Sequence, residues 1–157
     1  MKVRVKISKQ HGKGVFATAA IVAGEEILTF TGPLMQRGQF KIGDYHLQIG
    51  DNLYLGASDK ADDYVNHSCN PNAGFGKGLT LVALRGIARG EEVTWDYSTA
   101  IDEDDFDGFA CQCGATNCRS TVLSFRHLGV AERQRINPWL LPYLRLKYGH
   151  AALKLAI

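Results

Sequence analysis

The four cysteines of the chain form a pattern that suits a metal ion. Cys111, Cys113 and Cys118 form a C-x-C-x4-C cluster, and Cys69 lies far upstream in a run of small polar residues. Three thiolates in one short loop and a fourth from a remote segment can complete a tetrahedral shell around Zn²⁺ and hold the two segments together. The spacing therefore predicts a zinc site that uses all four cysteines.

Disulfide bonds and buried thiols without metal are the alternatives to this site. Cys111 and Cys113 are too close in sequence for easy bridging. The first residues, Met-Lys-Val-Arg-Val-Lys-Ile, alternate charged and apolar side chains, which is typical of a half-buried strand and not of a signal peptide. We therefore expect a cytoplasmic or nucleocytoplasmic protein, in which thiols stay reduced.

Length and composition limit the classes of protein to which the chain can belong. Its 157 residues, 45% of them hydrophobic, predict one globular domain with a sizeable core. The longest apolar stretch, at residues 15–24, is too short for a bilayer span, so we expect no membrane association. A net charge of +2 is too small for the basic surface of a nucleic-acid-binding protein, so we expect no direct nucleic-acid binding either.

Short apolar runs separated by glycine-rich turns predict a mainly β chain. The glycine and Asx residues at 50–52 favour one hairpin turn, and a second is expected around residues 74–78. The pattern predicts strands at residues 3–7, 26–30, 45–49, 53–55, 79–84 and 92–97.

The sequence pattern changes after the last cysteine. Residues 123–136 and 139–148 have helical periodicity, with Asn137-Pro138 as a break and Pro142 as an alternative start of the second helix. Before the cysteine cluster, the acidic run at residues 102–107 is expected to be a solvated linker that cannot pack as core.

Four motifs in order resemble those of SET-domain protein lysine methyltransferases. They are His-Gly-Lys-Gly-Val-Phe-Ala, Val-Asn-His-Ser-Cys-Asn-Pro-Asn, Gly-Glu-Glu-Val-Thr-Trp-Asp-Tyr and the cysteine cluster, at residues 11–17, 65–72, 90–97 and 111–118. A single Gly-x-Gly would be weak evidence, but this succession of motifs is not expected by chance.

The resemblance implies a SET-domain fold of several small curved sheets at residues 1–110. In this fold the segment at residues 65–72 is threaded through a loop to form a pseudoknot, an exception to the usual unknotted topology. A post-SET zinc-binding segment is expected at residues 111–122. The resemblance ends there, so it leaves residues 123–157, the predicted helical extension, without an assigned role.

The resemblance also implies an enzyme that uses S-adenosylmethionine to transfer a methyl group to a lysine side chain of a protein, such as a histone or another basic protein. Val122 is expected to cover the adenine, because Thr121 stands where an aromatic residue often follows the last zinc ligand. His67 takes part largely through its backbone and is not assigned as a general base. The implied cofactor contacts are Lys13, Gly14, Val15, Phe16, Asn66, His67 and Val122.

The implied catalytic residue is Tyr97, whose hydroxyl would orient the transferring methyl group. Phe30, Tyr45 and Trp95 are candidate walls of the channel for the substrate lysine, although strand aromatics of this kind are also common in cores. The family usually carries Phe or Tyr at the position of Trp95, and we expect the larger indole to restrict the product to monomethyl-lysine.

Two other classes of function compete with the enzyme. A catalytically inactive SET-like module, stapled by zinc and used for protein binding, would keep the cysteines but could dispense with Tyr97 and Asn66, and both are present. A zinc-stabilised nucleic-acid-binding domain would need a clustered basic face, whereas the basic residues of the C-terminal part are spread thinly.

Overall fold

The computed structural model describes residues 2–41 and 44–149 and consists mostly of short strands. The expectation of a mainly β chain is confirmed. The strands are β1 (Val3–Ile7), β2 (Lys13–Ala17), β3 (Glu26–Thr29), β4 (Leu34–Met35), β5 (His46–Gly50), β6 (Leu53–Gly56), β7 (Asn66–His67), β8 (Ala73–Phe75), β9 (Thr80–Ala83), β10 (Glu92–Trp95), β11 (Phe109–Ala110) and β12 (Thr121–Val122).

Two short α-helices follow the last strand. They are α1 (Val130–Ile136) and α2 (Pro142–Tyr148). Single turns of 3₁₀-helix lie at Ala61–Tyr64, Tyr97–Thr99, Phe125–His127 and Asn137–Trp139. None of the helices in the described ranges has the length and hydropathy of a membrane-spanning segment.

The strands form four small sheets, ordered β1-β2-β10-β7, β3-β9-β8, β4-β6-β5 and β11-β12. The first sheet matters most for the site. In it, β10 runs antiparallel to β2 and parallel to β7, so Asn66 lies beside Thr94 and His67 beside Trp95. This pairing places the Asn-His-Ser-Cys segment beside Asp96 and Tyr97, as a threaded segment requires. The threading itself stays a prediction.

Two clusters of buried apolar side chains stabilise the fold. The larger cluster joins the sheets and includes Val15, Phe75, Leu81 and Val93, none of which is exposed to solvent. Burial of one such side chain contributes about 1.5–3 kcal/mol relative to exposure. The smaller cluster lies within the C-terminal extension and consists of Phe125, Leu128, Ile136, Leu140 and Leu144. Tyr143 contacts both clusters.

The predicted elements agree with the structure to within one or two residues, with one exception. Both hairpins form, β5 with β6 and β8 with β9, and α2 begins at Pro142, the alternative start. The single helix predicted over residues 123–136 is wrong: Gly129 is extended, at φ −64° and ψ 160°, and α1 starts only after it. Residues 150–157 of the predicted extension lie outside the described residues.

The acidic run at residues 102–107 is not simply a solvated linker. Asp102 is only 3% exposed, so the prediction that no part of the run packs inside is wrong for this residue. Its carboxylate is bound by Arg126, Lys147 and Tyr148 from the extension. A buried carboxylate is tolerated when cations and hydrogen-bond donors replace water in this way.

Candidate active site and metal centre

Tyr97 begins the 3₁₀ turn that follows β10 and Asp96, and both its hydroxyl and its backbone are hydrogen-bonded. Its hydroxyl donates a hydrogen bond to the carbonyl of Val65 at 3.0 Å, and its backbone N–H donates to Nδ1 of His67 at 3.1 Å. Burial raises the pKa of the Tyr97 phenol well above its ordinary value, with smaller contributions from Tyr45 and Glu92. Tyr97 is therefore a neutral phenol with a fixed orientation, able to donate or accept a hydrogen bond.

A cavity of about 480 Å³ opens beside Tyr97 and is lined by all four residues predicted for catalysis and the lysine channel. Phe30 and Trp95 pack edge to face with ring centroids 5.6 Å apart. Trp95 in turn lies 4.9 Å from the ring of Tyr97. These aromatic walls form a chamber that suits the aliphatic stem of a long side chain.

The entrance to this cavity is aromatic and acidic. Tyr45 is 55% exposed and packs edge to face on Tyr64 at 5.5 Å, so it belongs to the rim and not to the core. Carboxylates on the lining attract a cation toward an apolar interior. They belong to Asp44, which is exposed, and to Asp63 and Glu103, which are half-buried. Asp62 also lines the cavity but is buried, and its carboxylate is bound by Thr31 and Ser58.

The glycine-rich turn at residues 11–14 lies against Asn66, and neither the turn nor Asn66 lines the cavity. Gly12 has φ of +49°, which favours glycine. A Cβ added to Gly14 would lie 2.1 Å from Oε1 of Glu92 and 3.0 Å from Nδ2 of Asn66. The Asn66 amide donates to the carbonyl of Lys13 at 3.0 Å and to Glu92 at 2.7 Å. The turn and β10 therefore pack closely around Gly14, and the side chains of Glu92 and Asn66 occupy the space next to its Cα.

The remaining predicted cofactor contacts have different environments. Val15 is fully buried and paired with both β1 and β10, whereas Phe16 is half-buried beneath the ammonium of Lys6. Val122 is fully buried and paired with Phe109. The cavity beside Tyr97 is lined by none of the seven residues predicted for the cofactor: Lys13, Gly14, Val15, Phe16, Asn66, His67 and Val122. The residues predicted for cofactor and for lysine thus fall into two groups that meet at Tyr97.

The imidazole of His67 has a structural environment. It is 5% exposed, accepts a hydrogen bond from the backbone of Tyr97 through Nδ1, and places Nε2 3.4 Å from Sγ of Cys69. Burial lowers the pKa of His67 to about 4, although the nearby carboxylate of Asp96 opposes this. A neutral imidazole that bridges Tyr97 and Cys69 has no free nitrogen for acid-base catalysis.

The four cysteines converge on one point. Their sulfur atoms all lie within 4.8 Å of one another, and Sγ of Cys69 lies 3.8 Å from Sγ of Cys111. None of the four forms a disulfide bond. With Zn–S bonds of about 2.3 Å, two sulfurs of a tetrahedral site lie about 3.8 Å apart. The donor set and its spacing therefore fit a four-thiolate zinc ion.

Backbone N–H groups donate hydrogen bonds to three of the four sulfurs of the cluster. Sγ of Cys113 accepts from the N–H of Cys69, Sγ of Cys69 accepts from that of Arg119, and Sγ of Cys118 from that of Ser120, each at 3.4 Å. Burial alone would raise the pKa of Cys113, but hydrogen bonds from backbone N–H groups lower it to about 6. Burial raises the pKa of Cys69 and of Cys111, so without a metal ion the cluster does not hold four thiolates. Deprotonated sulfur is the form that binds a metal.

Sequence reasoning missed an ion pair that links the cysteine cluster to Tyr97. Arg119 follows the last cysteine, Asp96 precedes Tyr97, and the guanidinium contacts the carboxylate through two nitrogens. Their positions beside motif residues were the only signal in the sequence, because a pairing across 23 residues follows from the fold and not from local spacing.

Known proteins similar to the chain are histone methyltransferases. It is 33% identical over 132 residues to the histone-lysine N-methyltransferase trithorax of Drosophila virilis, a match that covers 69% of this chain and 3% of that protein. It is 35% identical over 137 residues to histone-lysine N-methyltransferase 2B of Homo sapiens, and this match covers 74% of this chain and 5% of that protein. A third relative, histone-lysine N-methyltransferase ASHH3 of Arabidopsis thaliana, is 30% identical over 151 residues, and the match covers 82% of this chain and 39% of that protein. The chain thus spans a small part of the length of these relatives.

Solved structures of the same fold exist. A structure of KRYPTONITE in complex with mCHG DNA and SAH has a TM-score of 0.64 and 25% identity, and covers 77% of this chain and 29% of that one. The methyltransferase domain of human SETMAR has a TM-score of 0.63 at 19% identity, and the match covers 78% of this chain and 58% of that one. At this identity the similarity shows the fold alone. The SET domain family matches residues 12–98, more than half of the chain and the part that carries the turn at Gly14, the Asn66–His67 strand and Tyr97. The chain belongs to the SET domain family.

Proposed function

We propose that this chain is an S-adenosylmethionine-dependent protein-lysine N-methyltransferase. The observation that carries the proposal is the position of Tyr97, whose ring forms part of an apolar cavity while its backbone is bonded to His67 of the Asn66–His67 strand. A lysine side chain in the cavity and a methyl donor on the side of Asn66 would meet at this phenol. Activity in the relatives named above and SAH in a similar structure agree with this reaction.

S-adenosylmethionine, when bound, supplies a methyl group that is activated by a positively charged sulfur. The chain has to bind this molecule, exclude water and orient the acceptor amine. Asn66 fixes the turn at Gly14 against β10 through the carbonyl of Lys13 and the carboxylate of Glu92. We propose Val122, which is fully buried beside Phe109, as the residue beneath the adenine site. We propose the contacts at Lys13, Val15 and Phe16 as backbone contacts.

The acceptor lysine must lose a proton before it can act as a nucleophile. With a pKa of about 10.4, deprotonation at pH 7 costs about 4.6 kcal/mol in water. The aromatic walls at Phe30 and Trp95 remove water from the amine and thereby lower its pKa, and a positive charge on the methyl donor adds to this effect. No dedicated general base is then required. The neutral Tyr97 hydroxyl aligns the reacting groups through weak polar contacts.

We propose a histone or another basic protein as substrate. The exposed Asp44 and the half-buried Asp63 and Glu103 of the cavity lining are complementary to a basic segment. Relatives of the chain are named as histone-lysine methyltransferases, and one structure of KRYPTONITE, 25% identical to the chain with a TM-score of 0.62, contains an H3(1-15) peptide.

We also propose that Cys69, Cys111, Cys113 and Cys118 bind one Zn²⁺ and fix the segment after residue 110, a post-SET segment, beside the active site.

The test of this function is methyl transfer from isotopically labelled S-adenosylmethionine to mixed histones and, separately, to a cell lysate. Labelled polypeptides are digested and the modified residues are identified by mass spectrometry. Tyr97→Phe serves as the matched control, because it removes one oxygen and keeps the ring. Label on lysine with the wild-type chain and little with the variant supports the proposal, whereas absence of labelled lysine with both contradicts it.

A further inference from the structure

One wall of the cavity is held in place by the C-terminal extension, for which the family resemblance gives no role. Ala100, Ile101, Glu103 and Phe106 all line the cavity. The hydroxyl of Tyr143 donates to the carbonyl of Ala100. The backbone N–H of Phe125 donates to the carbonyl of Ile101 at 2.8 Å, and the hydroxyl of Ser124 donates to that of Glu103 at 2.5 Å.

Asp102 is the centre of this contact. Its carboxylate has no exposed surface and lies 3.0 Å from Nζ of Lys147, 3.3 Å from a guanidinium nitrogen of Arg126 and 3.0 Å from the hydroxyl of Tyr148. These three partners come from α2 and from the 3₁₀ turn before α1. The backbone N–H of Asp102 donates to Oε1 of Gln48 at 2.8 Å, and Gln48 also lines the cavity.

The arrangement makes the wall dependent on the extension. A carboxylate without exposed surface is stable only while charged and polar partners replace its water, and all three side-chain partners of Asp102 belong to residues 123–149. If the partners are removed, Asp102 is expected to move toward water. Its neighbours Ile101 and Glu103 would move with it, since they belong to the same short segment.

We propose that residues 123–149 act as a specificity element that fixes the cavity wall at residues 100–106 through Asp102, and that Asp102 is thus a positioning residue for the substrate lysine. The inference rests on the proposed methyltransferase function. It predicts an effect on the bound peptide and not on the methyl donor, because none of the residues predicted for the cofactor lies on this wall. A displacement of about 1 Å in such a wall reduces catalysis by up to about a hundredfold.

Two variants and one control test the proposal. Asp102→Asn keeps the shape of the side chain and removes its charge. Lys147→Met keeps the aliphatic stem of a side chain that is 35% exposed and removes only one of the three partners of Asp102, so it is expected to fold even if Asp102→Asn does not. The control is Asp51→Asn, because Lys147 also contacts Asp51 at 2.7 Å and the Asp51 side chain is 78% exposed.

The measurements are kcat and KM with an H3(1-15) peptide, the Kd for S-adenosylmethionine by calorimetry, and hydrogen exchange of residues 100–106. We expect a rise in KM of about tenfold for Asp102→Asn and a smaller rise for Lys147→Met. Exchange should become faster at residues 100–106 in both. The Kd for S-adenosylmethionine should stay within about twofold of wild type, and Asp51→Asn should match wild type in every measurement.

The proposal is overturned if KM and exchange stay at wild-type values in both variants. It is also overturned if KM, the Kd for S-adenosylmethionine and thermal stability all change together, because that result indicates a general structural role. If the wild-type chain binds S-adenosylmethionine but methylates neither the peptide nor any polypeptide in mixed histones or a cell lysate, the proposed function fails. Hydrogen exchange then decides separately whether the extension holds the wall.

Discussion

Arg119 contacts Asp96 through two nitrogen–oxygen pairs, at 2.6 and 2.7 Å, where the two side chains are only 10% and 1% exposed. The pair joins the residue after the last cysteine to the residue before Tyr97. Its geometry is the two-point contact of a guanidinium with a carboxylate, which lysine cannot reproduce. Asp96 also accepts a hydrogen bond from the backbone of Ser98, so the turn that contains Tyr97 is anchored to the cysteine cluster.

This pair leads to the first prediction. Arg119→Met leaves the buried carboxylate of Asp96 without its main partner, and we expect a loss of about 3 kcal/mol in the free energy of unfolding. Arg119→Lys is expected to recover only part of that loss. Urea denaturation of the zinc-loaded protein measures both values. Arg135→Met is the control, because Arg135 lies 3.6 Å from Asp96 with a side chain that is 34% exposed, and a loss as large as that of Arg119→Met would contradict the prediction.

The buried charges mark the limit of what could be predicted from the sequence. The alternation of apolar residues predicted the strand at Val3–Ile7, and the cysteine spacing predicted a cluster whose sulfurs do converge. Asp96 and Asp102 were not predicted as buried, because an acidic residue is normally solvated unless the fold brings it a cation. Their partners Arg119 and Lys147 lie 23 and 45 residues away in sequence, at distances that only the complete fold determines.

The second prediction concerns the metal. Purified protein should contain about one zinc ion per chain, and removal with a chelator should abolish methyl transfer and lower the thermal stability. Cys69→Ser removes the one ligand that comes from the remote segment, so its zinc content should fall sharply. Elemental analysis of active protein provides the measurement. Absence of zinc, or unchanged zinc in Cys69→Ser, would exclude the four-thiolate site.

Tyr97→Phe is the third prediction. The variant loses the hydroxyl that bonds to Val65 but keeps a ring that packs at 4.9 Å on Trp95, so the fold should change little. We expect kcat to fall by about a hundredfold or more and the Kd for S-adenosylmethionine to stay within a few-fold of wild type, because the hydroxyl acts mainly in the transition state. Turnover assays and calorimetry separate the two quantities. Near-normal turnover on a verified substrate would remove Tyr97 from the catalytic role.

The fourth prediction concerns the number of methyl groups transferred. Trp95 is 5% exposed, donates from Nε1 to the carbonyl of Val65 at 3.3 Å, and packs against Phe30, Phe75 and Tyr97. An indole held from so many sides cannot rotate away from the cavity that it lines. Each methyl group already on the amine needs further space in the same chamber, and a close-packed wall gives little. We therefore expect monomethyl-lysine as the main product of the wild-type chain.

Trp95→Phe should widen the chamber and shift the product toward di- and trimethyl-lysine. Phe75→Leu is the matched control, because Phe75 packs on Trp95 with ring centroids 5.0 Å apart but does not line the cavity. This control loosens the same cluster without enlarging the chamber directly, so its product should stay monomethylated. Mass spectrometry of a fully converted substrate distinguishes the cases. Abundant trimethyl-lysine from the wild-type chain would show that the volume of Trp95 does not limit the product.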